Sequence, residues 1–150
     1  MLRQRFTETL KKAMKGKDEL AVSTTRLIIA KLKEQDIEAR GKGKEALADA
    51  DIQQMLQGMI KQRRESIALY EQGKRPELAE KERGEIAIIE RFLPKQMGDA
   101  ELEAAAKALI AELGATGMKD MGRTMAALRE RHAGEIDGAK ASQIVKRLLG

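Results

Sequence analysis

Residues able to do chemistry are few in this chain, and they are scattered. His132 is the single imidazole. It ends a run, Met118, Met121, Met125 and Leu128, spaced like an apolar helix face, so it reads as a partly buried or helix-capping side chain. Ser23, Ser66 and Ser142 have no sequence-evident base to activate a hydroxyl. Glu80, Glu82, Glu85 and Glu90 lie on or near one helix and alternate with Lys81, Arg83 and Arg91. Interleaved signs describe a salt-bridged solvated face, not an acid/base pair. The Gly41–Lys44 region is no phosphate loop, and neither G-x-G-x-x-G, H-E-x-x-H nor a calcium loop occurs. With zero Cys, disulfides, thiolate zinc, iron–sulfur clusters and thiol catalysis are excluded. No catalytic residue, metal or cofactor is expected.

The cations are the one functional lead. Residues 1–97 carry 21 Lys/Arg against 16 Asp/Glu, whereas residues 98–150 carry 8 of each, so the net charge of +5 belongs to the first part. They cluster as Lys11, Lys12, Lys15 and Lys17; as Arg40, Lys42 and Lys44; and as Lys61, Arg63 and Arg64. The glycine-bearing loop Arg40–Lys44 and the outward helical face with Lys61 and Arg64 are the candidate phosphate contacts, with Arg63 beside them. Lys119, Arg123, Lys140 and Lys146 would extend the contact further along the chain. The bias is too modest for a dedicated DNA-binding domain, and no DNA partner is expected. One Tyr and two Phe give no base-stacking platform, so any RNA contact must read backbone and shape.

These residues need a scaffold, and the composition supplies a helical one. Ala (22), Leu (16), Ile (12) and Met (8) dominate while Val appears twice, which suits helices and starves strands. About seven helical segments follow. The first runs from Leu2 to Lys15 and stops at Gly16. Asp18 caps the second, which reaches Ala39 and, with Leu20, Leu27, Ile28, Ile29 and Leu32, reads as buried on more than one side. Asp49 caps a third over Ala50–Gln72, and Pro76 opens a fourth that reaches Phe92. Pro94 breaks the pattern and places a domain boundary at Leu93–Gly98. Three shorter amphipathic helices follow, one after Asp99, one along the Met118–Leu128 run and one capped by Asp137. The expected architecture is all-α: an N-terminal four-helix hairpin or bundle over 1–97, then a compact three-helix tail over 98–150.

Gly58, Gly84 and Gly122 fall inside helices, where each costs about 1 kcal/mol relative to Ala. Close helix–helix packing is the reading adopted for all three. No stretch approaches the roughly 20 apolar residues of a membrane span. The N-terminal residues lack an apolar signal core, so a cytoplasmic location without a membrane partner is expected.

Four stretches together resemble the GatB/YqeY family. They are Gly84-Glu85-Ile86-Ala87-Ile88-Ile89-Glu90-Arg91-Phe92-Leu93-Pro94-Lys95-Gln96-Met97; Lys119-Asp120-Met121-Gly122-Arg123-Thr124-Met125; Asp137-Gly138 followed by Ile144-Val145-Lys146-Arg147-Leu148-Leu149; and Lys61-Gln62-Arg63-Arg64-Glu65-Ser66 through Tyr70. The resemblance implies an all-helical protein similar to the tail of the B subunit of tRNA-dependent amidotransferase. That enzyme amidates mischarged Glu-tRNA(Gln) or Asp-tRNA(Asn) with glutamine as amide donor, and its tail grips the tRNA. It also brings the label of carbon–nitrogen ligase activity with glutamine as amido-N-donor. The expectation is a stand-alone tRNA-binding protein, or an accessory to the amidotransferase or another translation-related protein. A helical protein–protein interaction adaptor is the alternative.

Overall fold

The computed structural model describes all 150 residues, in seven α-helices, one 3-10 turn and no strand. The helices are α1 (Leu2–Lys15), α2 (Glu19–Gly41), α3 (Asp49–Gln72), α4 (Pro76–Glu90), α5 (Asp99–Leu113), α6 (Met121–Arg131) and α7 (Gly138–Leu149); the turn is Met118–Asp120. The chain divides into two compact units, Met1–Leu93 and Pro94–Gly150. Residues 94–97 thus group with the second unit. There the Met97 N–H donates to Glu135 O at 2.8 Å, and the Gln96 amide donates to Gly134 O at 2.6 Å.

In the first unit, local signals set the helix ends. The Asp18 carboxylate accepts from Ala21 N–H at 3.1 Å, satisfying an otherwise orphaned donor of α2. The start of α3 differs from the expected Asp49 cap. Ala48 is the cap residue, and Asp51 accepts from its N–H at 3.2 Å. Asp49 is freed to accept from Leu2 N–H at 3.3 Å, so it joins α3 to the start of α1. The helix α2 continues two residues past Ala39, which places Arg40 on a helix rather than in the loop. α4 ends at Glu90, not Phe92, and the chain turns through 91–93.

The core of this unit joins all four helices. Phe6, Ile28, Ile52, Leu56 and Ile89 are fully buried. Phe6 meets Phe92 edge-to-face with ring centroids 4.8 Å apart, a favoured aromatic geometry. The buried stripe of α2 corrects the two-sided burial expected of it. It consists of Ala21, Thr24, Thr25, Ile28, Leu32 and Asp36, while Leu27 is 48% exposed. Neither Thr24 nor Thr25 finds a hydrogen-bond partner for its buried hydroxyl.

The second unit is built around Leu102, Ala106, Leu109, Met125, Leu128, Ile136, Ala141 and Val145. Gly114 ends α5 with φ +64°, a left-handed conformation that glycine adopts without steric cost. Asp137 caps α7 by accepting from Ala139 N–H at 2.9 Å and Lys140 N–H at 3.3 Å. Met118, placed by its spacing in the apolar stripe, is 47% exposed. It sits in the 3-10 turn, whose period of three rotates it off the α6 face.

Candidate nucleic-acid interface

Of the candidate cations in the first unit, Lys42, Lys44 and Lys61 come together around one open groove of about 950 Å³. The groove lies between the second half of α2, the loop 42–48 and α3 as far as Glu65. Lys31 is a fourth cation on its wall. Glu38, Glu45, Asp51 and Glu65 line the same groove, so its formal charges balance. Lys42 is moreover paired with Glu38 at 3.3 Å. Lys44 and Lys61 are exposed and form no ion pair. Arg40 is exposed outside the groove, on the helical turn before it.

The floor explains Gly58. A Cβ built there meets nothing within 4 Å, so this glycine does not serve close packing; it faces the groove. Gly122 likewise faces open space. The packing reading survives at Gly84 alone, where a Cβ would sit 2.7 Å from Leu20 Cδ2. Absence of a side chain at that position lets α4 approach α2.

Arg63 lies elsewhere than expected. Its Nε donates to Glu85 Oε2 at 2.8 Å, its Nη1 donates to Met59 O at 3.2 Å, and Glu82 is 3.9 Å away. The Arg63 and Glu85 side chains are only 13% and 10% exposed. A desolvated guanidinium that already spends its donors inside the protein is not presented to a phosphate. Arg64, one residue on, is 3.8 Å from Glu90. The sequence groups Arg63 with the outward Lys61 and Arg64 as a candidate phosphate contact; its partner, 22 residues away on a different helix, is visible only in the fold.

A second ionic clasp joins α1 to the C-terminal part of α2. Arg3 reaches Asp36 with both terminal nitrogens, at 2.6 and 2.7 Å, and also donates to Leu47 O at 2.7 Å. Asp36 accepts from Leu47 N–H at 3.0 Å. The guanidinium hydrogen bonds, followed by the Leu47 N–H, hold the Asp36 carboxyl down at about 2. The clasp fixes the 42–48 loop, and with it one wall of the groove.

Four lysines that the charge pattern singled out but no site assignment used stand out by their surroundings. Lys11, Lys12, Lys15 and Lys17 are all exposed at the end of α1 and the turn after it, and none is ion-paired. Met14 between them is 52% exposed. The signal was legible as a run of like charge; its lack of neutralisation was not.

In the second unit, Arg123 pairs with Asp120 at 3.0 Å and Lys140 with Asp99 at 3.4 Å. Lys119 and Lys146 are exposed without an ion pair. His132 closes α6, its backbone N–H donating to Leu128 O.

The motif residues prove to be joints. Asp120 accepts from Thr116 N–H at 2.9 Å, which is the first cause of its lowered carboxyl pKa. Gln96 clasps Pro94 O and Gly134 O, Asp137 caps α7, and Arg63 with Glu85 ties two motif stretches together.

With this geometry in place, comparison with known proteins gives consistent results. The family model described as Yqey-like protein matches residues 3–149. The mitochondrial protein named altered inheritance of mitochondria protein 41 from Lachancea thermotolerans is 36% identical over 106 residues, 69% of this chain and 55% of that protein. Its counterpart in Kluyveromyces lactis is 36% identical over 85 residues, 57% of this chain and 44% of that one. In Saccharomyces cerevisiae the figures are 32% over 94 residues, 63% and 49%. The chain spans about half the length of these relatives.

Proposed function

The chain belongs to the YqeY-like family, and from that footing we propose that it is a tRNA-binding module, accessory to a glutamine-dependent tRNA amidotransferase or a related translation factor. The carrying observation is a group of exposed cations in the first unit that lack a carboxylate partner: Lys11, Lys12, Lys15 and Lys17, joined by Lys44 and Lys61. Polyphosphate binding draws on such unneutralised charge through counterion release. Lys119 and Lys146 are the matching cations of the second unit. The two compact units are read as separate domains, a four-helix and a three-helix one. The cytoplasmic location read from the sequence belongs to this proposal; no helix is long and apolar enough to cross a membrane.

The test is a fluorescence titration of the full chain with total tRNA at two salt concentrations. Saturable binding that weakens steeply with salt supports the reading, since the salt slope counts neutralised phosphates. No saturable binding at low salt overturns it. Replacing Lys11, Lys12, Lys15 and Lys17 with Ala weakens binding without disturbing a core they do not touch.

A helical adaptor is the second reading, and the charge balance of the groove favours it there. Equal numbers of Lys and carboxylate groups attract a polyanion little but suit a polypeptide of mixed charge. Retention of a defined stoichiometric protein after ribonuclease treatment supports this reading. Loss of all partners on ribonuclease treatment counts against it.

A further inference from the structure

The face of α2 directly opposite its buried stripe carries a pattern that neither the core nor the groove uses. Leu27 is 48% and Ile37 60% exposed, the two large apolar side chains that this helix leaves in solvent. Ser23, Leu27, Ala30, Glu34 and Ile37 advance by four, three, four and three residues and are all exposed. That is the a/d spacing of a helix–helix seam. Arg26, Lys33 and Arg40 flank it at seven-residue intervals, about 10.5 Å apart along the axis at 1.5 Å per residue. All three are exposed and none has a carboxylate within 4 Å, although Arg40 helps to hold the Asp36 carboxyl down. The carboxylate within the seam, Glu34, is 3.6 Å from Lys31 on the groove side.

We infer that the outer face of α2 docks a partner helix of amphipathic, acidic character. The exposed apolar row would take that helix's apolar seam, and Arg26, Lys33 and Arg40 would face its flanking carboxylates. Charge complementarity selects this occupant over the others. A nucleic-acid backbone would meet the cations but gain nothing from Leu27 and Ile37. A second copy pairing antiparallel through the same face would set these cations against their own kind, a repulsive arrangement. Arg40 is the one residue shared with the phosphate reading, so the two proposals fail separately.

The test is an NMR titration of the isotope-labelled full chain with a synthetic amphipathic peptide bearing Leu at a and d and Glu at e and g. A peptide with Lys in place of Glu serves as control. The expected result is saturable shifts confined to the outer residues of 23–40, with the Lys peptide at least about tenfold weaker. A triple variant, Arg26→Glu, Lys33→Glu and Arg40→Glu, loses the acidic peptide, and so does Leu27→Asp with Ile37→Asp. These residues are exposed, so circular dichroism of both variants stays native. Equal binding of both peptides, shifts mapping elsewhere, or no shifts overturns the inference. So do tRNA-induced shifts on this stripe without a response to the acidic peptide. Concentration-dependent shifts of the stripe without peptide also overturn it, in favour of a second copy.

Discussion

The two units differ in where charge meets the framework. The first sinks two ion pairs into it, Arg63–Glu85 between α3 and α4 and Arg3–Asp36 between α1 and α2, beside exposed pairs such as Arg75–Glu77. Lys11, Lys12, Lys15 and Lys17 at the end of α1, with Lys44 and Lys61, are left at its surface without an ion pair. In the second unit the ion pairs lie outside, as with Arg131–Glu112 and Arg147–Glu103. Its joints rest chiefly on neutral donors, from backbone N–H groups to Asp120 and Asp137 and from Gln96 to carbonyls, with Arg123 adding an ion pair at Asp120. The difference teaches that a net charge says little until the buried pairs are subtracted. Arg63 counts toward the basic excess in sequence, yet it is a structural residue.

The sharpest way to break this contrast is Glu85→Ala, which leaves the buried Arg63 guanidinium with only Met59 O and the more distant Glu82. The expected loss is about 3 kcal/mol, in line with other broken buried pairs, read as a lower urea midpoint for the first unit by circular dichroism. Arg131→Ala, at the exposed pair of the second unit, is expected to leave the urea midpoint nearly unchanged, because solvent screens that pair. Equal costs would erase the distinction.

Acid sharpens it further. The Asp36 carboxyl is held below its ordinary value, at about 2, so its contribution is complete above the unfolded value near 3.8. It is lost as the pH falls through about 2. A stability decline of about 1–2 kcal/mol over that window is expected, after allowance for the solvent-exposed side of Arg3. Asp36→Asn removes this acid-sensitive step and lowers stability at neutral pH.

Two smaller effects probe the interior of the first unit. Thr25→Val keeps the shape and removes a buried hydroxyl that has no partner, with an expected gain of about 1 kcal/mol in thermal or urea unfolding. Gly58→Ala enters open space within a helix and gains about 0.5–1 kcal/mol. Gly84→Ala gains less, because its Cβ must displace Leu20.

Helical content and most helix ends were legible in the sequence because caps and breakers act locally. Gly16, Asp18, Pro76 and Asp137 each work within a few residues of themselves. What escaped depends on partners distant in sequence. Asp49 is taken by the start of α1, and Asp51 serves the cap in its place. Leu27 has the composition of a core residue, but α1 and α4 cover the other side of α2, so it is exposed. For the site, the cationic clusters were visible as sequence runs. Whether a cation is neutralised depends on which carboxylates the packing brings near, and this separates Arg63 from Lys61 two residues away.

The central claim is that the cations left over in the first unit bind tRNA phosphates. The most direct measurement is the tRNA affinity of the full chain and of its Lys11→Ala, Lys12→Ala, Lys15→Ala, Lys17→Ala variant as a function of salt. The account predicts saturable binding with a steep salt dependence, and both a lower affinity and a shallower salt slope in the variant. Absent binding at low salt, or an unchanged slope in the variant, would contradict it.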